Sequence, residues 1–319
     1  MARGALLVGI DGYAEQPLRG CVKDANRMAE LLDRHENGDP NFETIIRTVR
    51  KDSGGKLTTS DLEKAIKTVF HGASDTALFY FSGHGIMTPG GAYLQTTDSA
   101  EGNPGIAMDW IINIANNARA AQKIIIMDCC HSGGLGNAPG AGRNISNISE
   151  GVTVLTASRE DEPALEIGEG GVFTGLVVDA LAGGAADVLG NISTSSVYSY
   201  VDEALGAFDQ RPLYKTNLSR STSLRKCKPR VAIEILRKIP QYFPKMDAEH
   251  KLTPAYEPDE DPKNLELEEI FAHLQKLNRV GLVEPVEADH MYYAAIENKS
   301  CQLTPRGQQY WRLAVKGKI

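Results

Sequence analysis

The chain has 319 residues, 42% of them hydrophobic and 24% charged, with a formal charge of −7. That length holds a full-sized core and, at about 100 to 200 residues per domain, predicts two domains. A net-acidic composition excludes a general nucleic-acid coat, because phosphate binding needs clustered Lys and Arg.

The opening MARGALLVGIDGY meets Asp11 too soon for a secretory or membrane segment, so it reads as a first strand of a cytoplasmic protein with no membrane partner. Apolar runs of strand length then recur at Ala5 to Ile10, Thr44 to Val49, Thr76 to Phe81, Lys123 to Met127, Val152 to Thr156 and Pro212 to Thr216. Helical patterns alternate with them: DANRMAELLDRH opening at Asp24, a helix ending near Phe70 behind a Ser60/Glu63 capping box, MDWIINIANNARAAQ, FTGLVVDALAG and SSVYSYVDEALGAF. The order predicts an α/β fold with a mostly parallel sheet of about six strands, covered by helices on both faces, over residues 1–225.

Residues 133–151 are rich in Gly, Asn and Ser without apolar period, which predicts a long flexible loop. Residues 226–263 read as a connecting segment and linker, Pro-rich and acidic at their end. From 264 to 319 the pattern is helix (LELEEIFAHLQKLNRVG), strand (MYYAAI), polar turn, short strand (CQLT) and helix, a small α+β module resembling a winged helix. Its last 20 or so residues carry Lys299, Arg306, Arg312, Lys316 and Lys318 with no acid, but an acidic run lies upstream, so protein docking or regulation is favoured over DNA binding.

The five cysteines, Cys21, Cys129, Cys130, Cys227 and Cys301, are odd in number and scattered, which fits a reducing compartment rather than a disulfide framework. Chemistry concentrates in two strings, YFSGHG and KIIIMDCCHSGG. Ser82 and His84 are two apart at one strand end, as are Asp128 and Cys130 at another, so period-two geometry aims each pair to one side and Cys129 to the other. Strand carboxyl ends are where parallel sheets bind ligands, so the Cys130 thiol and the His84 imidazole can converge there as nucleophile and base. The N–H groups of Gly85 and Cys130 are candidates for an oxyanion hole. Zinc at Cys129, Cys130 and His131 matches no common ligand spacing, and neither Gly-rich string has the phosphate-loop lysine.

YFSGHG, DCCHSGG and the earlier GCVKDANRMAELL resemble the caspase and metacaspase superfamily of cysteine peptidases, bacterial metacaspase-like proteins in particular, and VTVLTASREDEPALE, GGVFTGLVVDAL and QRPLYKTN fit the later part of that fold. The resemblance implies Cys130 as the nucleophile and His84 as its base. It implies an acidic specificity pocket from Asp24 and Asp128, flanked by Cys21 and Ser82, hence cleavage of protein substrates after Arg or Lys, Arg over Lys for its fork geometry, and not after Asp. It also implies a regulated effector of bacterial cell death, stress or antiphage signalling that answers to an upstream activating protein or protease. Arg143, on the long loop, is the expected processing site, with Arg159 a second basic candidate. Many metacaspases use a calcium-binding aspartate cluster; here only Asp98 and Asp109 lie in that stretch and Asn137 stands where an acid is expected, so no metal or cofactor requirement is expected, calcium included. The rival readings are a non-proteolytic scaffold of the same fold and a DNA-binding regulator acting through the winged helix.

Overall fold

A computed structural model describes residues 2–129, 148–157, 170–206, 212–220, 222–258 and 263–319. The chain forms two compact units, one comprising 1–186 and 191–227 and the other 187–190 and 228–319.

The first unit runs β1 (Arg3–Ile10), α1 (Cys21–Asp33), β2 (Glu43–Val49), α2 (Thr59–His71), β3 (Thr76–Ser82), β4 (Gly85–Thr88), β5 (Gly91–Leu94), β6 (Ile106–Ala107), α3 (Met108–Asn116), β7 (Gln122–Asp128), β8 (Val152–Thr156), α4 (Val172–Asp179), β9 (Asn191–Ile192), α5 (Thr194–Leu205), β10 (Leu213–Asn217) and β11 (Arg225–Lys226). All six strands anticipated from the sequence enter one sheet, in the order β10-β8-β7-β3-β1-β2. Every pairing is parallel except β10 with β8. β3 and β7 are buried along their whole length, as central strands covered on both faces must be.

Alternation along these strands divides the core. Leu6, Val8, Phe79, Phe81, Ile125 and Met127 pack with α2 and α3 residues, while Leu7, Leu78, Tyr80, Ile124 and Ile126 pack with those of α1, α4 and α5. Gly9 sets how closely α1 sits: a Cβ there would lie 2.2 Å from the Cys21 carbonyl oxygen, so only glycine lets the start of this helix reach β1.

Two helix starts differ from the sequence expectation. α2 is capped by Thr58, whose side chain accepts from the Asp61 N–H, and not by Ser60 with Glu63. α1 begins at Cys21 rather than Asp24, and its cap comes from outside the helix, the Cys21 N–H donating to Asp11 Oδ1 at 2.8 Å. Asp24 is thereby left for another role.

The second unit contains α6 (Ile233–Tyr242), β12 (His250–Lys251), α7 (Leu265–Arg279), β13 (Val283–Val286), α8 (Met291–Ile296), β14 (Ser300–Leu303) and α9 (Pro305–Val315), with an antiparallel sheet ordered β12-β14-β13. The expected linker is therefore folded: Val231, Leu236, Phe243, Leu252 and Tyr256 are buried in this unit's core with Phe271 and Leu274. MYYAAI is helix, not strand. Met291, Ala294 and Ala295 are buried at helical spacing while Tyr292 and Tyr293 face solvent, so MYYAAI supplies no wing strand; the CQL of CQLT does form the expected strand, within β14, and pairs with β13 instead. Among the described residues no helix is long and apolar enough to cross a membrane.

Candidate active site

The site residues gather at the carboxyl ends of β1, β3 and β7. Ser82 stands in register between Gly9 of β1 and Asp128 of β7. β3 stops at Ser82, so alternation along the strand does not place His84; three contacts do so instead. The His84 N–H donates to the Tyr13 hydroxyl at 3.0 Å, the His84 carbonyl accepts from the Gln95 N–H at 2.9 Å, and the Tyr13 ring lies 4.5 Å from the imidazole. The imidazole Nε2 is 2.7 Å from the Gln16 carbonyl oxygen. A carbonyl only accepts, so Nε2 carries the proton and the neutral ring keeps its lone pair on Nδ1. Gln16 holds a left-handed φ of 54° to present that carbonyl, a conformation uncommon away from glycine.

Gly85 opens β4, the edge strand of a small antiparallel sheet. Because the His84 carbonyl accepts from Gln95, the next pair, Gly85 with Leu94, is a non-hydrogen-bonded one, and the Gly85 N–H points away from β5. On the β7 side, the Gly83 N–H donates to the Asp128 carbonyl at 3.4 Å, which fixes the backbone one residue before His84 against the backbone two residues before Cys130. Cys129 is buried among the α2–α3 core residues, on the opposite face from Asp128. Cys130 and Arg143 lie outside the described residues, as does Arg159.

Asp24 and Asp128 are 1% and 6% exposed, and both are held by the first turn of α4. The Gly171 N–H donates to Asp24 Oδ2 at 2.9 Å; Thr174 donates to Asp128 Oδ2 from its hydroxyl at 2.6 Å and its N–H at 3.3 Å. The Thr174 hydroxyl in turn accepts from Tyr80 at 2.7 Å, since its own proton goes to Asp128. A helix N-terminus supplies unpaired N–H groups and a partial positive charge, which is how two carboxylates are tolerated together in a buried place. The approach needs glycine at 171, where a Cβ would fall 2.0 Å from Asp128 Oδ2. Burial raises the Asp24 pKa, opposed by the Gly171 bond and by Arg27 and Lys23. Burial, and then the charges of Asp128 and Asp24, push the Tyr80 hydroxyl well up. Cys21 and Ser82 are buried beside this group, Cys21 three residues before Asp24 in α1 and Ser82 paired with Asp128. Asp24 Oδ1 is buried and, among the described residues, has no hydrogen-bond partner.

A sequence profile described as "Caspase domain" matches residues 2–223. The chain belongs to the caspase domain family. Over 150 residues it is 30% identical to metacaspase-8 of Arabidopsis thaliana, and over 147 residues 31% identical to metacaspase-7 of the same plant. Each match covers 42% of this chain but only 38% and 36% of those relatives, so the chain spans little more than a third of their length. The crystal structure of protein GSU0716 from Geobacter sulfurreducens shares the fold, with a TM-score of 0.51 and 16% identity over 71% of this chain and 98% of that one.

His84, Cys130, Asp24 and Asp128 all fall within the caspase-domain match, and α6 to α9 lie beyond it. Asp98 and Asp109 are the two acids in the stretch weighed for calcium. Asp98 spends Oδ1 on Thr96 Oγ1 and on the N–H and hydroxyl of Thr59. Burial acts to raise its pKa, but those bonds outweigh it and hold the carboxyl below its usual value. Asp109 sits in the first turn of α3 with its pKa raised by burial. Among the described residues no three His, Cys, Asp or Glu side chains gather as a metal site.

The sequence reading missed Tyr13, Gln16, Tyr80, Gly171 and Thr174. Only GGVFT carried a signal, two glycines and a Thr opening a helix; the others act through contacts between distant segments.

Proposed function

We propose that this chain is a metacaspase-type cysteine endopeptidase that cuts proteins after Arg or Lys, with Cys130 as nucleophile and His84 as general base. The observation that carries the specificity is the buried Oδ1 of Asp24, without a hydrogen-bond partner among the described residues, in a carboxylate that α4 holds through Oδ2 close to Asp128. An orphaned anionic acceptor in a buried place is costly unless a ligand donor completes it, and a guanidinium brings several donors and the opposite charge. An acidic substrate side chain would instead add a third carboxylate.

In the reaction, Nδ1 of His84 takes the Cys130 proton, because Nε2 is committed to the Gln16 carbonyl. The thiolate attacks the carbonyl carbon, the N–H groups of Gly85 and Cys130 receive the oxyanion, and the imidazolium returns its proton to the leaving amine. Water then hydrolyses the acyl-enzyme. Tyr13 positions the base: Tyr13→Phe keeps the ring against the imidazole but removes the partner of the His84 N–H. A drop in kcat of about tenfold with KM little changed is expected, corresponding to loss of that bond and of the weaker one that the Tyr13 hydroxyl donates to the Gln95 carbonyl at 3.3 Å.

Fluorogenic peptides ending in Arg, Lys or Asp, with and without calcium, test the assignment. Cleavage after Arg, then Lys, without dependence on calcium and with release of a fragment cut after Arg143, is the expected result. Cleavage after Asp, or none in any condition, overturns it. A regulated effector role in bacterial cell-death, stress or antiphage signalling, switched by an upstream partner or protease, follows from the same proposal.

A further inference from the structure

A cavity of about 310 Å³ opens behind Tyr13; its lining includes Gly12 and Pro17 after β1, and Arg50, Lys51, Asp52 and Lys56 after β2. The two exits are tied together, since the Asp11 and Gly12 N–H groups both donate to the Val49 carbonyl. Three cations face this space, Arg50, Lys51 and Lys56, against one carboxylate, Asp52. All four are exposed, and none has an ion-pair partner among the described residues. The loop turns through the left-handed φ of Asp52 (58°) and Gly54 (65°), both of which line the cavity. The result is a small, open, positively charged recess in an otherwise acidic chain.

Its position gives it a use. Tyr13 forms part of its wall and also lies against His84, the two rings tilted by 52°, so the recess begins one aromatic ring beyond the imidazole. Tyr13 packs with the α2–α3 core, whereas Asp24 and Asp128 occupy the opposite face of the sheet. A general acid that protonates the leaving amine stands next to the part of the substrate that follows the scissile bond. A peptide whose basic residue enters the acidic pocket therefore passes His84 toward Tyr13. At about 3.3 Å per extended residue, the second or third residue after the bond reaches the recess.

We infer that the Arg50, Lys51 and Lys56 recess is a second specificity site, which selects substrates with an acidic side chain two or three residues after the cleaved bond. The inference rests on the peptidase reading above. It makes the enzyme a reader of two charges of opposite sign, basic before the cut and acidic after it. The second cannot enter the first pocket.

Internally quenched peptides with Arg before the bond and Glu, Ala or Lys at the second and third positions after it test this, on the wild type and on Arg50→Ala/Lys51→Ala/Lys56→Ala. The wild type should favour Glu over Lys by about tenfold in kcat/KM, as three exposed ion pairs allow, and the preference should shrink with added salt. The triple variant should treat the peptides alike while hydrolysing Arg-coumarin, which has no residue after the bond, at the wild-type rate. Equal rates on Glu and Lys peptides in the wild type, or a preference that survives in the variant, overturn the inference. The same peptides, labelled and bound to Cys130→Ala by fluorescence anisotropy, separate the two failures. A Glu preference in binding without cleavage by the wild type sinks the peptidase reading but keeps the acidic-peptide site; equal binding sinks the site even where cleavage is seen. Binding of pyrophosphate with no Glu-over-Lys difference would assign the recess to a free anion and overturn the substrate role.

Discussion

Cys130→Ala and His84→Ala are each expected to lower kcat on an Arg peptide by about 10⁴-fold or more, and the double variant should be no worse than either alone. A thiol with an ordinary pKa near 8.5 is only a few per cent thiolate at neutral pH, so without a base the attack slows, and without the sulfur the base has nothing to activate. Two groups that act as one unit lose their whole effect when either is removed. Residual hydrolysis would then come from substrate binding and the backbone N–H groups of residues 85 and 130, which both substitutions leave in place. If the two losses multiplied, Cys130 and His84 would be acting on separate steps, and the pairing argued from the Gly83 to Asp128 backbone contact would fail. Gln16 sharpens the point. Its carbonyl fixes the protonated nitrogen of His84, so the lost activity of His84→Ala should not return with Gln or Asn at 84, which cannot both hold that carbonyl and accept a proton.

The inner strands β1, β3, β7 and β8 were legible because each is a short apolar run buried for most or all of its length, whereas the edge strands β2 and β10 are mixed and partly exposed and were readable only by their place in the alternation with helices. Strand pairing and the antiparallel β10 come from tertiary contacts, yet the order of helices and strands constrained them to few arrangements. MYYAAI misled because aromatic residues favour strands; Met291, Ala294 and Ala295 already had helical spacing, and packing followed the spacing. Residues 226–263 misled because prolines and acids surround a few large apolar groups, Phe243, Leu252 and Tyr256, whose burial only a neighbouring α7 reveals. At the site, the acids Asp24 and Asp128 and the imidazole of His84 were readable as residue types at telling positions. What holds them was not. Asp11 caps α1 across a loop, Gln16 orients the imidazole through its backbone, and Thr174 reaches Asp128 from 46 residues away.

Asp24→Asn should lower kcat/KM on Arg peptides by about a hundredfold while leaving the fold at least as stable as the wild type at neutral pH. The two halves have one cause. Burial raises the Asp24 pKa, so the folded chain holds this proton to a higher pH than the unfolded chain does. Stability therefore falls as pH rises through the window between the ordinary carboxylate value and the raised one, and above it the ionised Asp24 is a standing cost. Asparagine keeps an oxygen for the Gly171 N–H and removes the charge, so that pH-dependent loss disappears. The guanidinium, however, loses one of the two charges that face it, and truncating one partner of a buried charged pair costs roughly 2–5 kcal/mol, of which a neutral acceptor recovers part. The acid limb of the kcat/KM profile supplies the check. In the wild type, activity on Arg peptides should fall with pH as Asp24 protonates, at a pH above the usual carboxylate range, and Asp24→Asn should lack that limb. A variant that is clearly less stable than the wild type at neutral pH would mean that Asp24 serves the fold through a bond its Oδ1 does not make among the described residues. An unchanged Arg preference would remove Asp24 from the pocket and leave Asp128, held by Thr174, whose hydroxyl Tyr80 supports in turn, to recognise the basic side chain without it.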